Sequence, residues 1–218
     1  MAIKGHKFPP NLILIIFKQL ALQRLAAIHS NKTPILNFST SLIMTTIESL
    51  LQRNKATEHV PLPYISELST LGAPPIRTLI VTCADPRVCP EKWFNLNPGE
   101  VIIHRNAGGN VQHAFRDISV LDSLFTIDEI AVIHHTDCGT LHFKEEQVRD
   151  YVKKQTDETH WAEVDKMVFG ANADIEKSVK EDLAWVRAHP MIREQLKGGC
   201  QGFIFDIKTG ELKKVGTA

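Results

Sequence analysis

Two short motifs hold the residues best suited to chemistry. Cys83-x-Asp85-x-Arg87 lies near the middle of the chain, and His135-x-x-Cys138 follows well downstream. Thiolate sulfur and neutral imidazole are the ligands of tetrahedral zinc, and a catalytic zinc keeps only three protein ligands so that water can take the fourth place. Cys83, His135 and Cys138 supply such a set. Asp85 and Arg87 share the loop that follows Cys83. A carboxylate there can reach the metal or its water, and the guanidinium can fix that carboxylate by a charge-assisted pair. Away from metal ligands the same two residues would read as an ordinary loop ion pair. Buried or redox-active thiols are the competing chemistry for the cysteines. The other two, Cys89 and Cys200, show no ligand-type spacing.

The elements that must bring these residues together are legible in the hydrophobic pattern. Arg77 to Cys83 and Ile130 to His135 are short, β-branched runs without polar alternation, the pattern of strands buried on both faces of a parallel sheet. Neighbouring parallel strands share a crevice at their carboxyl ends, which is where such sheets bind ligands. A strand over Val101 to His104 delivers Arg105-Asn106-Ala107-Gly108-Gly109-Asn110 to the same edge. Ile118, Leu121, Leu124 and Phe125 predict a crossover helix from Asp117 to about Thr126. Pro90 opens a helix over Pro90 to Phe94. Phe143 to Lys154 reads as a charged helix, and 157–173 as loop with helical pieces. Ile175, Val179, Leu183 and Val186 mark a long amphipathic helix ending near His189-Pro190. Gln201 to Ile207 is a last strand, turned back at Lys208 to Glu211 into Leu212 to Val215. This order argues a three-layer α/β domain with a mostly parallel central sheet flanked by helices and a C-terminal edge strand or hairpin. Strand alternation turns His134 away from His135, toward the core.

Formal net charge is zero and 43% of residues are hydrophobic, an ordinary globular balance that gives no reason to propose nucleic acid or membrane as partner. Four cysteines in 218 residues, without a secreted disulfide spacing, suit a reducing compartment. The charge is uneven, because every acidic residue falls after residue 47 while Lys4, Lys7, Lys18, Arg24 and Lys32 precede it. Residues 1–43 therefore read as an N-terminal extension, either a mitochondrial presequence or sequence upstream of a true start at Met44. The longest apolar run there, Leu12 to Phe17, is far shorter than the roughly 20 residues of a membrane span. The expected domain is 44–218, opening with an amphipathic helix over Thr45 to Arg53. The expected compartment is cytoplasmic or mitochondrial.

Cys83-x-Asp85-x-Arg87 followed by His135-x-x-Cys138-Gly139 resembles the zinc and dyad signature of the β-class carbonic anhydrases. Val88-Cys89-Pro90, Asn97-Pro98-Gly99-Glu100 and Arg105-Asn106-Ala107-Gly108 resemble the family's intervening segments, and the resemblance runs from about Arg77 to Asp150. It implies Zn2+ on Cys83, His135 and Cys138, and hydration of carbon dioxide to bicarbonate and a proton by zinc-bound hydroxide. It also implies a homodimer or larger homo-oligomer with the substrate pocket between chains. Asp85 would orient the hydroxide or, in a closed low-pH state, occupy the fourth metal position, with Arg87 holding it. Activity would then rise with pH. Two departures stand out: Pro86, where the family has Ser or Ala, stiffens the Asp85 loop, and His134-His135 replaces the commoner Gly-His. The second variant also resembles the side branch that includes carbonyl sulfide hydrolases, so a carbonyl sulfide or carbon disulfide hydrolase is the alternative enzyme. A non-catalytic zinc or thiol protein, or a nucleotide-binding module built on Asn106 to Asn110, is the alternative outside catalysis.

Overall fold

The structure is a computed structural model, and it describes residues 45–216 apart from 69 and 71. The N-terminal extension expected over 1–43 lies outside the described residues. The chain forms two units, divided between Pro74 and Pro75. In the first, α1 (Ile47–Ala56) begins with a capping box in which Thr46 and Ser49 satisfy each other's backbone N–H groups. The short α2 (Ile65–Leu68) falls within a proline-rich stretch expected to be irregular.

The second unit is built on a five-stranded sheet of order β2-β1-β3-β4-β5. Its strands are β1 (Thr78–Cys83), β2 (Ile102–Asn106), β3 (Glu129–His135), β4 (Cys200–Phe205) and β5 (Leu212–Val215). The first four run parallel and β5 returns antiparallel on β4, as the sequence predicts. The helices are α3 (Pro90–Trp93), α4 (Val111–Phe125), α5 (Glu145–Lys153), α6 (Trp161–Val164), α7 (Ile175–Ala188) and α8 (Glu194–Gly198). The connection through α4 carries the chain from β2 across β1 to β3, and the next leaves β3 for β4 on the other side. The carboxyl ends of β1 and β3 therefore flank the point where the winding reverses, the crevice in which open α/β sheets bind ligands.

Strand alternation divides the core. Leu79, Val81, Ile130 and Val132 meet Val111, Ala114 and Ile118 of α4, Val179, Leu183 and Val186 of α7, and Leu196 of α8. Ile80, Ile133 and Phe205 face the other way, where Trp93 of α3 stacks on Phe205 with ring centroids 3.5 Å apart. Full burial of aliphatic side chains this size stabilises by roughly 1.5–3 kcal/mol each, which fixes the strand register and hence the site.

Several boundaries differ from expectation, among them the first helix, Ile47–Ala56 where Thr45 to Arg53 is expected, and β4, Cys200–Phe205 where Gln201 to Ile207 is expected. α4 begins at Val111, ahead of the expected Asp117, because Asn110 caps it by accepting from the His113 N–H and because Val111 and Ala114 already belong to the buried stripe. β2 continues beyond His104 through Asn106, pairing with β1 as far as Cys83. α8 was not expected; it fills the approach to β4 and buries Leu196.

Candidate metal centre

Cys83 ends β1, His135 ends β3, and Cys138 stands in the turn beyond, ahead of a short 3-10 turn over Gly139–Leu141. All three are buried and their ligand atoms lie within 4.8 Å of one another, the one such group among the described residues. The two Sγ atoms are 3.9 Å apart. Two sulfurs about 2.3 Å from one tetrahedral ion would sit about 3.8 Å apart, so the spacing fits a single zinc. His135 fits as well. Its Nδ1–H donates to the Thr136 carbonyl at 2.9 Å, which leaves Nε2 as the lone-pair nitrogen, and Nε2 is buried with no hydrogen-bond partner. A buried nitrogen without a partner is what a metal would satisfy.

The sulfurs are poised unequally. Sharing a proton with Cys83, against the opposing effect of burial, pulls Cys138 well below the usual thiol range, helped by His135 and Thr140. The same shared proton and burial push Cys83 up. His135 is pushed down by burial, but the neighbouring Cys138 sulfur outweighs this and holds it above its ordinary value. Donors surround the sulfurs: the Asp85 N–H reaches Cys83 Sγ at 3.4 Å, and the Thr140 hydroxyl reaches Cys138 Sγ at 3.1 Å.

Asp85 is gripped by Arg87. The guanidinium donates from Nε to Oδ1 at 3.0 Å and from Nη2 to Oδ2 at 2.7 Å, and the Arg87 backbone N–H donates to Oδ1 at 2.8 Å. These bonds hold the Asp85 carboxyl down at about 2, so it is a carboxylate at any working pH. Its Oδ2 lies 4.0 Å from His135 Nε2, beside the three ligands. Arg87 also donates to Asp137, from Nη1 to Oδ2 at 2.8 Å and from Nη2 to the carbonyl at 2.9 Å. It thereby ties the loop after β1 to the loop after β3. Asp137 takes a left-handed conformation, φ 54°, which short polar side chains tolerate. Sequence reading passed over Asp137, although its place between two ligands was a usable signal.

The glycine loop after β2 closes the floor. Gly109, at φ +72°, lies so near β1 that a Cβ would stand 2.9 Å from the Thr82 carbonyl carbon; a Cβ on Gly108, at φ +81°, would meet Thr140 Cγ2 at the same distance. Only glycine permits both the conformation and the approach. His134 points to the opposite face, as expected, and pairs with Asp182 of α7, Nε2 to Oδ2 at 3.1 Å. Cys89 and Cys200 are not in the cluster: Cys89 Sγ is 3.6 Å from a Glu91 carboxylate oxygen, and Cys200 opens β4.

A mostly parallel α/β sheet with a Cys-His-Cys cluster that could hold a metal, and a carboxylate-guanidinium pair beside it at the winding reversal, defines the class of the fold and of the candidate site. The family model described as carbonic anhydrase matches residues 78–212, and the chain belongs to that family, in its β class. It is 30% identical to the carbon disulfide hydrolase of Acidianus sp. (strain A1-3), over 66% of this chain and 79% of that one. It is 28% identical to β-carbonic anhydrase 1 of Mycobacterium tuberculosis (strain ATCC 25618 / H37Rv), over 66% and 86%. Among solved structures, a carbonic anhydrase from Glaciozyma antarctica superposes with a TM-score of 0.62 at 30% identity, over 80% of this chain and 98% of the other.

Proposed function

We propose that the protein is a zinc enzyme that reversibly hydrates carbon dioxide to bicarbonate and a proton. The observation that carries this reading is the convergence of Cys83, His135 and Cys138 beside an Asp85 that Arg87 holds ionised. Cys83, His135 and Cys138 would hold the metal. Zinc bound there would lower the pKa of a water so that hydroxide is available near neutral pH to attack the carbon of carbon dioxide. Asp85, lacking a proton, can only accept, so it orients the attacking water by taking its hydrogen bond. Arg87 holds that carboxylate in place, with Oδ2 4.0 Å from His135 Nε2. His135 keeps Nε2 directed at the cluster through its bond to Thr136.

A second reading, hydrolysis of carbon disulfide or carbonyl sulfide by the same centre, is favoured by the similarity to the Acidianus hydrolase. One zinc-loaded preparation assayed on both classes of gas decides between them. Turnover of the sulfur compounds alone would reverse the ranking. Cys138→Ser should lose zinc and activity together, and full zinc in that variant would remove Cys138 from the ligand set. Light scattering on the same preparation checks the homodimer or larger assembly that the family resemblance implies; an active monomer would refute it. No helix among the described residues is long and apolar enough to cross a membrane. All four cysteines are free, which supports a cytoplasmic or mitochondrial setting, and the N-terminus of the protein recovered from cells would tell the two apart.

A further inference from the structure

The Cys138 sulfur is served by a chain of hydrogen bonds that begins far from either motif. Thr140, buried in the 3-10 turn, donates its hydroxyl proton to Cys138 Sγ at 3.1 Å, and Asn172 Nδ2 donates to the same hydroxyl oxygen at 2.8 Å. A hydroxyl has one proton to give. Because Asn172 approaches it as a donor, the oxygen's lone pair is engaged and the proton is directed to the sulfur. The opposite amide orientation would turn Oδ1 toward Thr140 and draw that proton away. The orientation found has a visible consequence: Asn172 Oδ1 is buried without a partner.

The segment bearing Asn172 is clamped for this task. Its backbone N–H donates to the Thr140 carbonyl at 3.1 Å. The Glu145 carboxylate accepts from the Phe169 N–H at 2.9 Å and the Ala171 N–H at 2.8 Å, pinning the residues just before it. On its other side Gly108 leaves the space that Thr140 Cγ2 needs, since a Cβ there would stand 2.9 Å from it. Neither rotation of Thr140 nor drift of Asn172 is open without breaking these contacts.

We infer that Asn172 and Thr140 are positioning residues for the metal centre: Asn172 sets the direction of the Thr140 hydroxyl, and that hydroxyl draws charge from the Cys138 thiolate. The inference rests on the metal-centre reading above. Two thiolates give a metal more charge than imidazoles do, which weakens its pull on a water. A donor held on one sulfur takes part of that charge back. Groups that orient metal ligands in this way typically contribute 10–100-fold in metal affinity or activity.

The test uses the full chain loaded with zinc and, separately, with cobalt, whose thiolate charge-transfer bands report the electron density on sulfur. Thr140→Val keeps shape and burial but removes the hydroxyl. It should release zinc to a chelator about 10–100-fold faster and move the cobalt band to longer wavelength. Thr140→Ser, which keeps the hydroxyl, should match the parent on both. Asn172→Asp is isosteric but can only accept, so it should pull the proton away from sulfur and reproduce the Thr140→Val changes with the hydroxyl still present. It also carries the test if Thr140→Val does not fold. Parent-like zinc release and an unshifted cobalt band in Asn172→Asp and in a folded Thr140→Val would overturn the relay alone. A parent protein that takes up no cobalt would overturn the metal centre and the relay with it.

Discussion

Asp182→Ala should destabilise the protein by about 2–4 kcal/mol. Asp182 is 1% exposed in the middle of α7, and one of its oxygens, Oδ2, accepts from both the His134 Nε2–H at 3.1 Å and the Val111 N–H at 3.2 Å. It thus joins three elements: the strand that ends in His135, the first turn of α4, and α7. Both donors are themselves buried, His134 at 2% exposure and Val111 at 0%. Alanine leaves two donors without an acceptor, and each such loss costs about 1–3 kcal/mol. Against the sum of roughly 2–6 stands the relief of no longer burying a carboxylate, which trims the upper end. Asp182→Asn separates the causes. An amide oxygen placed at the Oδ2 position can still accept from both donors, so Asn should lose less than half of what Ala loses. Urea unfolding at neutral pH measures both, with zinc content followed in parallel because His134 is covalently next to His135, a proposed ligand. An Ala variant within 0.5 kcal/mol of the parent would refute the reasoning. It would mean that water reaches His134 and Val111.

Two further outcomes follow from charged pairs. Arg193 donates to both oxygens of Asp122 at 2.8 and 2.6 Å and so holds that carboxyl below its usual range. Since the folded state lowers this pKa, the pair's contribution is present above the unfolded value near 3.9 and fades as pH falls below it; Arg193→Met should lose about 1 kcal/mol at pH 7 and progressively less below about pH 4 in thermal melts. Arg87→Ala should keep its zinc yet lose about 10–100-fold in carbon dioxide hydration. Rates rising with pH in the parent and a parent-like rate in this variant would together show that Asp85 needs no guanidinium.

Both ligand strands are legible in the sequence because burial on two faces forces continuous runs such as Leu79 to Val81 and Ile130 to Ile133, and their ends then fall on Cys83 and His135. The first turn of α4 is less legible. Gln112, His113 and Arg116 interrupt the stripe, and its start depends on a cap from Asn110 that resembles any loop asparagine. Thr140 and Asn172 are separated by α5, α6 and the loops around them, so no spacing rule links them. Asp182 is harder still. An acidic residue between Glu181 and Leu183 reads as part of a solvated face, and only the packing of α7 over β3 turns it inward to His134. Sequence periodicity carries the positions that burial dictates. It does not carry polar contacts whose partners are chosen by the fold.

Pro86 changes meaning once the loop is seen. Read as a departure, it stiffens a carboxylate loop; in the structure Asp85 to Val88 is a turn closed by the Val88 N–H donating to the Asp85 carbonyl at 2.9 Å. Proline at the second position and aspartate at the first are the residues such a turn favours, because proline presets φ and the Asp side chain accepts from the backbone two residues on. The Arg87 N–H does donate to Asp85 Oδ1 at 2.8 Å. Asp85 is therefore held by two independent grips, a guanidinium that any substitution of Arg87 removes and a backbone N–H that Pro86 keeps in place. The stiffness falls on the conformation in which Asp85 faces Arg87. For this reason Arg87→Ala is expected to slow carbon dioxide hydration by about one or two orders of magnitude and not to abolish it: the backbone N–H still holds Asp85 Oδ1 when the guanidinium is gone.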